Sequence, residues 1–265
     1  VRGSTLCPIL FFSNYGICYT CLVNDIVATT GYGDPIHGSF AFKDGEKIIA
    51  CFILDERVLP GPITAEGEEE PEIQAVSLTS DGKGFRFSLQ SYMESSTKNG
   101  RKFARPAGGA QVVGVKLCKP GTQLLASGTR FGRGALCKLE EVNFLSGAGK
   151  GVTVIKLGTD DRLVGFEPLE EESPTAEGLK LIRDNGGTEI IVHPKYVKIT
   201  GRAGKGQTLL KRGLLNAVEP PLQVVGPPDD VPEEASVETT AVTEGETASA
   251  EAGDEGDQEE KVDVE

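Results

Sequence analysis

The stretch AGKGVTVIK at 148–156 returns as AGKGQTLLK at 203–211. A chain that repeats itself this closely builds its core from copies of one unit, and the period of the copies limits its architecture. Upstream of each copy lies a turn glycine, Gly132 in TRFGRGALCKLEEV and Gly187 in RDNGGTEIIVHPKYV, equally far ahead of Gly149 and Gly204. The same interval joins Gly16, in FFSNYGICYTCLVNDI, to Gly33. A fourth copy runs from Gly82, in SLTSDGKGFRFSLQSY, to Gly100, with one residue inserted.

Each unit reads as strand, glycine turn, strand, a loop with glycine or basic residues, then one or two further short strands. The further strands include KIIACFIL (47–54), QLLASG (123–128) and RLVGFEPL (162–169). The first two turn glycines, Gly16 and Gly82, stand furthest apart, because the acidic stretch PGPITAEGEEEPE is inserted between them. It and EEESPTAEG, which precedes the last unit, read as surface loops between units. A four-stranded unit recurring about every 50 residues points to blades set around a hub, with repeats near 6–59, 73–120, 121–170 and 178–219. The 34 glycines fit many short strands and tight turns, and the lack of tryptophan excludes WD and kelch blades. A solenoid would show a shorter period.

The glycine-flanked lysine is not a nucleotide-binding loop. That loop needs a glycine ahead of Gly-Lys, in the pattern Gly-x-x-x-x-Gly-Lys, and a hydroxyl after it to hold Mg²⁺. Phe144 and Ile199 stand where the first glycine belongs, and Gly151 and Gly206 follow Lys150 and Lys205. What comes next is strand-like in both copies.

Charge is localised. From Asp229 onward the chain holds fifteen acids and one base, whereas everything before it holds 25 acids and 26 bases. Residues 223–265 lack aromatic residues and almost all bulky aliphatics, so they are expected to form a disordered acidic tail after a domain at 1–222. Such a polyanion either lies on a basic surface of the domain before it or only confers solubility. The six cysteines lie mostly in apolar runs and read as buried thiols of a cytoplasmic protein. Cys18 and Cys21 are spaced like metal ligands, but ICYTCLV reads as a strand, which sends them to opposite faces. No apolar run approaches the ~20 residues of a membrane span. The chain opens on Val1 beside a strand and is expected to be part of something longer.

ILFFSNYGICYTCLVNDI followed by KDGEKIIACFIL resembles a repeat of the C-terminal domain of bacterial type IIA topoisomerase A subunits, those of DNA gyrase and topoisomerase IV. RAGKGQTLLK and SGAGKGVTVIK resemble that family's basic glycine box. The resemblance covers roughly residues 6–218. It implies an all-β, propeller-like β-pinwheel of about four blades that exchange strands, with duplex DNA bent around a basic rim. It further implies a non-catalytic module of an ATP-driven enzyme, whose ATP and Mg²⁺ are used in other domains and whose partners are the rest of the A subunit and the ATPase B subunit. Nucleoid-associated, cytoplasmic residence follows from that.

Lysine suits phosphate without reading bases, and glycine lets the backbone come close to it. The candidates are Arg202, Lys205, Lys211 and Arg212 in the last unit and Lys150 and Lys156 in the third. Lys98, Arg101, Lys102 and Arg105 cluster in the second. The box glycines are Gly147, Gly149, Gly151, Gly204 and Gly206. Lys156 and Lys211 are the weaker members, since each also serves to end a strand. The first unit departs from the pattern with TGYGDPIHG, so phosphate binding is not carried onto Tyr32 or Asp34. A unit ahead of Val1, with the fullest box, is expected to be missing, which favours a partial bend over full wrapping. His37 and His193 lack a partner at a catalytic spacing, and Tyr15, Tyr19, Tyr32, Tyr92 and Tyr196 read as packing residues. The rival from another class is a propeller-like protein-interaction module.

Overall fold

The computed structural model describes residues 3–30, 34–64, 70–170, 178–184 and 189–217, all within the unit Val1–Pro227. The expected acidic tail, Tyr32, Gly33 and Gly187 lie outside the described residues. The fold is all-β, with sixteen strands, four single-turn 3₁₀ segments and no α-helix among the described residues.

Three hairpins repeat one design. β1 (Pro8–Ser13) pairs with β2 (Ile17–Leu22), β4 (Gln74–Thr79) with β5 (Lys83–Phe87), and β8 (Leu124–Thr129) with β9 (Arg133–Lys138). Each turn closes by a glycine N–H donating back to the end of the first strand, Gly16 to Ser13 O, Gly82 to Thr79 O and Gly132 to Thr129 O, at 2.9–3.1 Å. The glycines sit at φ +80°, +79° and +82°, where a side chain is strained. Ser13, Thr79 and Thr129 are buried hydroxyls; Ser13 and Thr129 accept from Ile17 N–H and Arg133 N–H, and Thr79 donates to the Asp81 carboxylate. An outer strand flanks each hairpin: β3 (Ile48–Ile53), β7 (Val112–Cys118) and β12 (Leu163–Leu169), each with a register shift opposite that hydroxyl. QLLASG is thus the first hairpin strand of the third sheet, and the outer strand of the second is Val112–Cys118.

In each of the first three sheets one strand comes from the unit that follows. β6 (Arg101–Lys102) completes the first sheet on β2, β11 (Val152–Thr153) the second on β5, and β15 (Gln207–Thr208) the third on β9. The second sheet also gains β10 (Phe144–Leu145), parallel to β5. β14 (Ile190–Val192), β13 (Leu179–Arg183) and β16 (Leu215–Ala217) make the fourth sheet, which has three strands among the described residues. This exchange between consecutive blades is the β-pinwheel arrangement.

Exchange fixes a common register. Gly16 O accepts from Phe103 and Ala104 N–H, Gly82 O from Val154 and Ile155, and Gly132 O from Leu209 and Leu210. Gly100, Gly151 and Gly206 are therefore equivalent, and all have positive φ (+67°, +72° and +67°). From turn to box the second unit runs from Gly82 to Gly100 and the third from Gly132 to Gly151. The second is thus one residue shorter than the third, not one longer as expected. Asn99, not Lys98, stands where Lys150 and Lys205 do.

The core lies between sheets, which explains why the central strands are apolar on both faces. Ala75 of β4 packs with Leu10, Phe12 and Phe87 between the first and second sheets, whereas Val76 and Leu78 face Leu125 and Cys137 of the third. Leu124 and Ala126 of β8 turn the other way, onto Leu179, Leu181 and Val192 of the fourth. Each fully buried Leu or Phe contributes about 1.5–3 kcal/mol. Phe12 and Phe103, one from each side of the first exchange, meet edge-on at 4.9 Å. Cys18 enters this first core and Cys21 the opposite face, where it packs near Tyr19 and Phe40. Burial pushes the Cys18, Cys118 and Cys137 thiols up to about 12, which leaves them inert at neutral pH.

Candidate nucleic-acid interface

The boxes form a ladder from unit to unit. Ala41 N–H donates to Lys98 O, Arg105 N–H to Gly149 O and Lys156 N–H to Gly204 O, each at 2.8 Å. Each exchanged strand therefore ends against the next box, and the basic side chains on both are presented side by side. Arg105, Lys156 and Lys211 occupy one position in three units, directly after the residue that caps the preceding hairpin, and all three are exposed. The two lysines that seemed mere strand ends share this position with an arginine.

Lys98, Lys102, Lys150, Arg202, Lys205 and Arg212 are also exposed. Arg101 is not available in the same way: its guanidinium donates to Ser91 O at 2.8 Å and pairs with Glu94 at 3.4 Å. Among the described residues it is the one candidate held in an ion pair.

Exchange packing alone accounts for glycine at two box positions. A Cβ on Gly151 would lie 2.3 Å from Gly84 O, and one on Gly206 2.7 Å from Gly134 O. Gly149 would press only on the end of Leu145, Gly204 has ordinary contacts, and Gly147 faces open space. The glycines thus let the box strand lie against the neighbouring hairpin, with the lysine side chain left on the outside.

Between the second hairpin and the third and fourth boxes lies an open cleft of about 460 Å³, lined by Asp81, Arg133, Lys156 and Lys205 with Thr153 and Ile155. Arg133 donates to Lys205 O at 3.2 Å, so its cation is fixed under the box by the backbone. Asp81 is the one acid there. Burial opposes its charge, but the hydrogen bonds from Lys83 Nζ at 2.6 Å and from Thr79 hold its carboxyl below the ordinary range. Three cations against one committed carboxylate give the cleft a net positive lining. Arg133 is absent from the sequence candidates, although GRG at 132–134 and GKG at 82–84 repeat the glycine–base–glycine pattern of the boxes.

Among its described residues the first unit has no such surface. Its loop carries Asp34 and His37, and Phe40 and Phe42 fold onto Tyr19, their rings at 5.0 and 4.8 Å. Tyr19 and Tyr92 pack as expected, but Tyr196 is 65% exposed and is a surface residue. His193 is buried, and the His37 ring lies tilted beside Phe42. Among the described residues no group of three or more His, Cys, Asp or Glu side chains is placed to hold a metal, and no helix is long and apolar enough to cross a membrane.

The model of the family described as DNA gyrase C-terminal domain, beta-propeller, matches residues 8–55, 75–119 and 123–170. Three solved structures share the fold. The C-terminal domain of DNA topoisomerase IV aligns with a TM-score of 0.64 at 17% identity, over 81% of this chain and 64% of that one. The E. coli ParC C-terminal domain gives 0.63 at 17%, over 82% of each chain. The DNA gyrase A C-terminal domain gives 0.57 at 16%, over 82% of this chain and 67% of that one. The chain thus spans less than two thirds of the topoisomerase IV domain. No curated protein matches it. Matched over three units, with the exchanged-strand fold shared with these solved structures, the chain belongs to the DNA gyrase C-terminal domain family.

Proposed function

We propose that the box ladder is a non-catalytic DNA-binding surface, within a domain at 1–222, that bends duplex DNA for a type IIA topoisomerase. The observation that carries this is the line of exposed, unpaired basic side chains that the ladder sets in consecutive units, with Arg105, Lys156 and Lys211 in equivalent places. The proposed phosphate contacts are these three with Lys98, Lys102, Lys150, Arg202, Lys205 and Arg212, joined by Arg133; Arg101 acts by holding its own loop. Cations spaced along successive blades contact backbone phosphates without reading sequence, and a curved path favours DNA that deforms easily. In the parent enzyme this orients the duplex for strand passage, with the rest of the A subunit and an ATPase subunit as partners and ATP hydrolysed elsewhere.

A gel-shift titration of the full chain against short and long random-sequence duplexes, at two salt concentrations, tests the reading. Binding should strengthen with duplex length, and each of Lys156→Gln and Lys205→Gln should lower the slope of log affinity against log salt by about one. Absence of binding at low salt, or binding indifferent to both substitutions, would sink it.

A further inference from the structure

We infer that Phe131 is an apolar wedge that enters a base step of bound duplex and kinks the DNA at the third sheet; this rests on the DNA-binding reading above. Phe131 sits at the tip of the β8–β9 hairpin and is 45% exposed. The fold asks for nothing apolar there. At the same place in the first hairpin Tyr15 donates its hydroxyl to Asp44 O at 2.9 Å, and in the second Asp81 pairs with Lys83. A single exposed apolar side chain is ordinary on a protein surface. This one differs in how it is held and in what surrounds it.

Its backbone is fixed on both sides. Phe131 N–H donates to Asp161 Oδ1 at 3.0 Å, and Gly132 N–H to Thr129 O at 3.1 Å. Two of the neighbouring acids are committed: Asp161 also accepts from Arg162 N–H, and Asp184 pairs with Arg130 at 3.0 Å. Gly132 abuts Leu210, so Lys211 and Arg212 leave the exchanged strand beside the tip. The preceding repeat shows that these places share one surface, since Asp81, the equivalent of Phe131, lines the same cleft as Lys156, the equivalent of Lys211. An apolar ring carried on a fixed backbone among the cations of the proposed surface is suited to unstack a base step, and the cost is lowest at pyrimidine–purine steps.

The test uses the full chain, wild type, Phe131→Ala and Phe131→Leu, with a duplex carrying 2-aminopurine at a central TA step, and a duplex of about 150 bp for ring closure. Phe131 is at the surface, and both variants should unfold at the wild-type temperature. Wild type should raise 2-aminopurine fluorescence and speed ring closure. Phe131→Ala should lose the fluorescence rise and at least about threefold of the closure rate, with affinity within about tenfold and an unchanged salt slope. Phe131→Leu should retain part of both. Equal binding, fluorescence and closure for wild type and Phe131→Ala would overturn the wedge and leave the DNA surface standing. No binding by any of the three at low salt would overturn the surface and the wedge with it.

Discussion

At the scale of the residue, glycine serves two purposes that look alike in one dimension. Gly132 sits at φ +82°, and a Cβ there would lie 2.6 Å from Leu210 Cβ and 2.8 Å from its carbonyl oxygen. Gly147 faces open space without a positive φ. Gly132→Ala should therefore cost on the order of 2 kcal/mol or more in urea unfolding, with Gly147→Ala within about 0.5 kcal/mol of wild type. The sequence shows both as box or turn glycines, because proximity across the exchange is invisible in it. Asp55 shows a different kind of dependence. The Arg57 guanidinium, then Ser4 N–H at 2.8 Å, hold its carboxyl well below the ordinary range, and the residue is buried. A depressed folded value means the contribution is complete above the unfolded value near pH 4 and fades as pH falls below it. Unfolding titrations of wild type and Asp55→Asn should differ at pH 7 and converge as the pH is lowered beneath about 4.

At the scale of the element, the strands themselves were readable. The repeated turn glycines located the hairpins, and the apolar runs located β3 and β12. The exchanged strands were not, since Arg101–Lys102, Val152–Thr153 and Gln207–Thr208 are two residues each and carry no period of their own. Only the partner's backbone makes them strands. The equivalence of Arg105 with Lys156 and Lys211 was hidden for the same reason, as it rests on carbonyl groups of Gly16, Gly82 and Gly132. Among the described residues the fourth sheet has three strands, and none pairs with the outer edge of β14. Hydrogen exchange should find the amides of Ile190–Val192 open at least about tenfold faster than those of Leu124–Thr129, which lie between two neighbours. Equal protection would mean that β14 has a partner on its outer edge.

At the scale of the whole molecule, stability and binding are both sums over neighbours. The three larger cores each lie between consecutive sheets, so the domain behaves as a short one-dimensional array. Binding should add in the same way. Combining Arg105→Gln, Lys156→Gln and Lys211→Gln should lower the salt slope by about three on a long duplex. On a duplex too short to reach beyond one box, the loss should fall to about one. An equal loss on both lengths would mean that the three side chains do not lie along one path.

The exchanged strands also set an order of events during synthesis. Leu22 closes the first hairpin, but its sheet stays unfinished until Lys102 has been made. At about 5–20 residues per second the ribosome holds that edge of β2 open for roughly 4–16 s. Each blade in turn waits for its successor, so the nascent chain always carries one unpaired edge and can seal it only by going on.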